Sequence, residues 1–337
     1  MKHLFLVSFI LLFLSCKTST SNQASDSSQQ NVQISPVDYE NLITAAELKE
    51  HLYIIASDEM EGRMTGEPGQ KNVAGNNIPS PPGVDNYFQE VPASFFREGS
   101  GIKDTENVIA FVEGSEYPEE VIIITAHYDH TGIDSNGNVN NGADDDGSGT
   151  VATMMVAKAF QKAKEEGNGP KRSVAFLLVT GEEVGLVGSK YYTDVDPIFK
   201  LENTIANLNM DMVGRIAPEK LDSTDYIYLI GTDRLSTELH NLSEQVNKQY
   251  VNLELDYTFN AHDDPNRFYF RSDHYNFAKH NIPVIFYFNG VHEDYHKHTD
   301  TPDKVEYELL EKRARLVFHT AWELANRKDR IALDVNE

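Results

Sequence analysis

Disulfide chemistry is excluded at the outset, because the 337-residue chain holds a single cysteine, Cys16, and no second thiol to pair with it. Positive charge is scarce as well. Lys and Arg number 29 against 53 Asp and Glu, a formal net charge of −24, and without a basic stripe to neutralise phosphates nucleic acid is not a partner. The acidity serves solubility first, and its field would also draw in cationic or free-amine peptides. Long apolar runs are lacking too: the stretch over residues 4–14 falls short of the roughly 20 apolar residues that a membrane-crossing helix needs. Internal repeats are absent, and tryptophan occurs once, as Trp322.

Lys2 and His3 precede that apolar stretch, and Ser15 and Cys16 follow it. This is the pattern of an export signal over residues 1–15, cleaved rather than retained as a span. The junction Leu-Phe-Leu-Ser-Cys resembles a bacterial lipobox, with Phe13 where Leu is commoner. The resemblance implies a diacylglycerol on Cys16 as the only tie to a membrane, hence an exported cell-envelope lipoprotein, periplasmic or anchored to the outer membrane. A plain signal peptide with an incidental cysteine is the alternative. Residues 16–35 are mostly Ser, Thr, Gln and Asn with almost nothing apolar, so they cannot offset the entropy of ordering and read as a flexible tether. The remainder, 36–337, is long enough for one large domain with a sizeable core, and no second linker interrupts it.

Four runs, 121–125 (Val-Ile-Ile-Ile-Thr), 174–179, 204–208 and 284–288, are short, β-branched or aromatic, and apolar on both faces. Central strands of a sheet covered on both sides have that character. Residues 107–112 and 226–230 read as further strands, and helical patterns cover 150–164, 235–250, 275–280 and 306–326. Strand and helix alternate, which predicts an α/β three-layer sandwich: a mixed, mostly parallel central sheet with helices on both faces. Ligands of such sheets collect outside the carboxyl ends of the strands.

Chemistry-bearing side chains fall at those ends. His127 follows the first run, Glu182 and Glu183 the second, Asp211 the third, and His296 lies in the loop after the fourth. Asp129 stands two residues beyond His127, within reach to orient its ring, while His130 reads as an ordinary surface-loop histidine. The segment Gly142-Ala143-Asp144-Asp145-Asp146-Gly147-Ser148-Gly149 places three acids ahead of a helix, whose free amides and dipole favour carboxylates. A solvated turn or a weak calcium loop remains open for this segment, although the distal Glu of a helix-loop-helix calcium hand is missing. Glu182 and Glu183 point in different directions, so one can bind metal while the other faces a metal-bound water. Asp211 lies between apolar neighbours, where a buried carboxylate needs a cation, strong donors or a structural salt bridge.

Taken in order, six motifs carry a family resemblance: His127-x-Asp129; Asp145-Asp146-Gly147-Ser148-Gly149; Gly181-Glu182-Glu183-x-Gly185-Leu186-x-Gly188-Ser189; Asn209-x-Asp211-Met212-x-Gly214; Arg271-Ser272-Asp273-His274; and Tyr295-His296-x-x-x-Asp300-Thr301. Together, over about residues 107–306, they resemble the co-catalytic di-zinc aminopeptidases of the secreted bacterial leucyl aminopeptidase type. The resemblance implies two Zn2+ per chain, with His127 and Asp211 on one ion, Glu183 and His296 on the other, and Asp145 bridging them. It also implies a hydroxide between the ions, Glu182 as general base and then acid, Arg271 and Tyr295 as stabilisers of the tetrahedral oxyanion, and a cis peptide after Asp145. The substrate would be a peptide with a free N-terminus, and the protein a monomer. Three ligand carboxylates and one hydroxide balance two zinc dications, which leaves Glu182 free to carry a proton. His292 and His298 read as rim or outer residues and His274 as structural. One departure from the family pattern follows Lys71, where Gly75, Pro79, Pro81 and Pro82 oppose a helix that members usually continue.

Rival activities share this fold. A glutaminyl cyclase-like acyltransferase would use one zinc and a tryptophan just before the last histidine, where this chain has Tyr295. A carboxypeptidase or dipeptidase would need a residue to grip a C-terminal carboxylate, which sequence does not place. A receptor-like relative without catalysis would show broken ligand positions, and none is broken.

Overall fold

In the computed structural model, which describes residues 36–77 and 87–335, eight strands form one sheet. They are β1 (Tyr87–Val91), β2 (Thr105–Val112), β3 (Tyr117–His127), β4 (Arg172–Val179), β5 (Thr204–Met210), β6 (Tyr226–Ile230), β7 (Glu254–Asp256) and β8 (Val284–Phe288). Their spatial order is β1-β2-β4-β3-β5-β8-β6-β7. The central four, β4-β3-β5-β8, run parallel to one another. Strands β1, β2 and β6 add antiparallel pairings outside them, and β7 pairs parallel with β6. The expected mixed, mostly parallel sheet is therefore present. Every residue of β4, β5 and β8 is buried, which is why those segments lack the polar alternation of a half-exposed strand.

The helices are α1 (Val37–Glu40), α2 (Ala45–Ile55), α3 (Pro68–Asn72), α4 (Gly149–Glu165), α5 (Val187–Asp194), α6 (Thr237–Val246), α7 (His274–Ala278) and α8 (Tyr307–Asn326). Alternation along the strands sorts the core into two layers. Ile122 and Ile124 of β3, with Val174, Phe176 and Leu178 of β4, pack with α2, α4, α6 and α8 through residues such as Leu52, Phe160, Leu239 and Phe318. The intervening Val121, Ile123, Ala175, Leu177 and Val179 face the other way, onto Tyr192 of α5 and Phe277 of α7. Two helices start on side-chain caps that accept otherwise unpaired amides: Thr44 takes Glu47 N at 3.3 Å and Ser236 takes Leu239 N at 3.1 Å.

Several elements were not visible in the sequence. Helix α5 contains Gly188, two tyrosines and Thr193, a poor helix-forming set. It is fixed by tertiary contacts instead: Ser189 Oγ donates to Asp273 Oδ1 at 2.5 Å, and Tyr192 is buried in the core. Helix α3 gives way at Val73–Asn77 to a wider, π-type turn, and the proline-rich stretch beyond lies outside the described residues. So do the signal, Cys16 and the tether. No described helix is long and apolar enough to cross a membrane.

Candidate metal centre

Because β4, β3, β5 and β8 are parallel neighbours, their carboxyl ends share one edge, and the five side chains singled out from sequence meet there. His127 Nε2 lies 3.2 Å from Asp145 Oδ1 and 3.6 Å from Asp211 Oδ1. His296 Nε2 lies 3.1 Å from Asp145 Oδ2 and 3.0 Å from Glu183 Oε2. Asp145 thus gives one oxygen to each group, the geometry of a carboxylate shared between two positions. Donors about 2.1 Å from a tetrahedral zinc are about 3.4 Å apart, and these separations bracket that value. His127 Nε2, Asp145 Oδ2 and Glu183 Oε1 are buried without a hydrogen bond. Close donors that do not bond one another fit a cation at their centre.

His130 corrects the sequence reading. It is fully buried rather than on the surface, with Nδ1 2.7 Å from Glu183 Oε1 and 3.8 Å from Asp145 Oδ2. A His-x-x-His spacing was the only sequence signal for it. The backbone that covers it comes from far away: His130 N donates to Arg63 O at 3.1 Å and Gly132 N to Gly62 O at 3.0 Å.

The three-acid segment separates by partner. Asp144 accepts from Gly214 N at 2.6 Å and faces His292 Nε2 at 3.0 Å. Asp146 accepts from Gly149 N, Met212 N and His127 N at 2.9 to 3.1 Å. Asp300 accepts from Asp144 N and Asp145 N. Of the three, only Asp145 is left to face His127 and His296, next to the Asp145-Asp146 cis peptide that the resemblance implied. The solvated-turn alternative is thereby excluded, since all three acids are buried. Of the two readings offered for His292 and His298, His292 takes the outer one, buried on Asp144, whereas His298 is exposed. Asp211 Oδ2 accepts from Ser272 Oγ at 2.6 Å, and no Lys or Arg pairs with it among the described residues. Asp129 orients His127 through its backbone carbonyl, 3.1 Å from Nδ1, while its carboxylate takes Thr65 Oγ1 at 2.7 Å and Glu182 N at 3.1 Å. Arg63, buried without a carboxylate partner among the described residues, ties α2 to the two site loops by donating to the carbonyls of Ile55, Tyr128, Asn141 and Gly142. His274 stacks on Phe286, and burial pushes its imidazole down to about 3, in keeping with a structural part.

The electrostatics follow from crowding. Burial, with Asp211 and Glu183 close by, pushes Glu182 well above the usual carboxylate range despite the opposing pull of His127. Burial would raise Asp145 too, but the His127 and His296 imidazoles outweigh it and hold the carboxyl well below that range. Burial works against protonating His296, yet Asp145 and Glu183 lift it to about 10. Without a metal, protons on imidazoles hold the acids together.

A cleft opens onto this edge. Asp145, Glu182 and Asp211 form one wall, with Arg271 and Tyr295 beside them; Met212, Phe268, Phe286, Phe288 and Val291 supply the apolar lining. Tyr295 stacks on His296 with ring centroids 3.9 Å apart, and Arg271 lies over the Phe268 ring. A larger cavity of about 510 Å3, between Leu201, Pro283 and Ile331, involves none of these residues. Trp322, against Tyr39 and Phe160 in the core, takes no part either.

The family model for peptidase family M28 matches residues 107–321. The chain belongs to peptidase family M28. This M28 chain is 37% identical over 114 residues to a probable zinc metalloprotease of Leptosphaeria maculans, covering 32% of the chain and 24% of that protein. It is 34% identical over 109 residues to carboxypeptidase Q of Xenopus laevis, covering 32% and 20%. Among solved structures it matches the LapA aminopeptidase of Legionella pneumophila with a TM-score of 0.69 and 20% identity, over 95% of this chain and 81% of that one. The chain spans about a quarter or less of the length of these curated relatives, and the LapA likeness is one of fold.

Proposed function

We propose that the protein is a two-zinc aminopeptidase that removes N-terminal residues from peptides. The observation that supports this most is the division of Asp145 between two donor groups, His127 with Asp211 and His296 with Glu183. Zinc at these positions would polarise the scissile carbonyl and acidify water. Glu182, in the cleft wall with its proton affinity raised, takes a proton from the attacking water and returns it to the leaving amine. Arg271 and Tyr295 face the same space and donate to the carbonyl oxygen as it gains negative charge. The acidic wall favours an α-ammonium group, and the aromatic lining favours an apolar first residue.

Arg271 has no carboxylate partner among the described ion pairs, which favours carboxypeptidase or dipeptidase action as the second reading. Leucyl-p-nitroanilide should be cleaved and N-acetylated peptides left intact. Release of C-terminal residues from the blocked peptides would favour the second reading instead, and pyroglutamate formation with one zinc per chain would favour the cyclase.

For the whole chain the reading is a signal over residues 1–15, a tether over 16–35 and a monomeric peptidase domain over 36–337, held at the cell envelope by lipid on Cys16. Cys16→Ala should move the protein from the membrane to the soluble fraction; a variant that stays with the membrane rules the lipid anchor out.

A further inference from the structure

We propose that His130 is a fourth protein ligand of the second metal position, joining Asp145, Glu183 and His296. The inference rests on the two-zinc reading. Its first support is an incompletely satisfied group: the His130 side chain is fully buried, Nε2 has no hydrogen bond among the described residues, and Nδ1 faces Glu183 Oε1 at 2.7 Å. A polar group buried in that state costs free energy unless something absent from the bare chain completes it. Its second support is direction. Nδ1 addresses the same two carboxylates as His296, at 2.7 Å from Glu183 and 3.8 Å from Asp145. His130, Asp145 and Glu183 each place a ligand atom within 4.8 Å of the others. The His130 and His296 rings meet edge to face, with centroids 5.8 Å apart, so the two imidazoles approach the carboxylate pair along different directions.

The ring is set by packing. Gly142, at φ +56°, lies so close that an added Cβ would come within 2.5 Å of His130 Cγ and Cδ2. On the backbone side, Met64 forms an isolated bridge with His130. The segment around Arg63 thus fixes both this imidazole and, through Tyr128 and Gly142, the loops on either side of it.

With four protein donors at the second position and three at the first, the two sites are unequal. The cleft wall includes Asp145, Asp211 and Glu182, while His127, Glu183, His130 and His296 are not among its lining residues. The extra donor at the second position would make its ion the later to be lost.

The test uses the zinc-loaded full chain. Anomalous diffraction at the zinc edge should place His130 Nδ1 about 2.1 Å from the second ion. Two ions with His130 instead donating to Glu183 and out of bonding distance would overturn the assignment while leaving the two-zinc reading intact. One ion per chain would overturn both. Competition against a chelator gives an independent readout. His130→Asn should weaken the tighter equivalent by more than roughly 100-fold, beyond the 10- to 100-fold typical of an outer partner. His130→Asp, which restores a donor, should recover part of that loss and guards against misfolding as the explanation. Two equivalents retained in His130→Asn at wild-type affinity would overturn the proposal.

Discussion

Glu182→Gln should lower kcat by about 10²- to 10⁴-fold, the range expected when a positioned general base is removed, and leave zinc content unchanged. The side chain makes none of the close metal-type contacts of its neighbour: its nearest ring nitrogen is His127 Nε2 at 4.0 Å. Its backbone amide is pinned to Asp129, so the carboxylate is held in the cleft wall by the same residue whose carbonyl orients His127. Gln keeps the shape but cannot take up and return a proton, so KM should change little. Glu183→Gln provides the contrast. Glu183 lies 3.0 Å from His296 and 2.7 Å from His130, and removing its charge there should cost zinc before it costs rate at full loading. Steady-state kinetics with metal analysis of both variants separates the two parts. A Glu182→Gln enzyme within threefold of wild type would remove Glu182 from the chemistry.

The sequence made the frame legible because parallel strands buried on both faces have no polar alternation to hide them, as β4 and β8 show. It also carried the convergence of His127, Asp145, Glu183, Asp211 and His296, since residues at the ends of parallel neighbours must share an edge. What it hid depends on long-range closure. His130 follows a strand and reads as a loop residue until the chain at Gly62 and Arg63 covers it. The family resemblance named Asp145 as the bridging ligand, but local sequence could not show why Asp144 and Asp146 are spent elsewhere. Their donors include distant amides, at Met212 for Asp146 and at Gly214 for Asp144, which come after β4 and β5 in the chain. The Asp129 carboxylate, expected to steer His127, does lie 3.7 Å from its Nδ1, but the backbone carbonyl is closer at 3.1 Å, a contact no residue-type pattern encodes. Edge strands β1 and β7 were missed for a related reason: five and three residues with exposed positions carry too little periodicity to stand out.

Exhaustive chelation should abolish peptidase activity and lower Tm by on the order of 10 °C. The size follows from linkage: zinc held at 1,000 times its dissociation constant adds about 4 kcal/mol to the folded state, and a kcal/mol moves Tm by about 2 to 4 °C in a domain somewhat smaller than this one. The cause is local. Asp145, Glu182, Glu183 and Asp211 converge where, among the described residues, Asp211 has no Lys or Arg partner and the Asp145 carboxylate meets only imidazoles. In the stripped protein, protonated His127 and His296 supply the missing positive charge, which keeps the fold intact but places fewer charges opposite the carboxylates than two dications would. Chelation should therefore weaken the domain without unfolding it at room temperature. Zinc should restore both Tm and activity. Magnesium and calcium should restore neither, because these hard cations take oxygen ligands and two or three of the donors here are imidazoles. Full activity in protein shown by metal analysis to hold less than about a tenth of an equivalent of any transition metal would end the metallopeptidase reading, because Glu182 alone has no means to polarise an amide carbonyl.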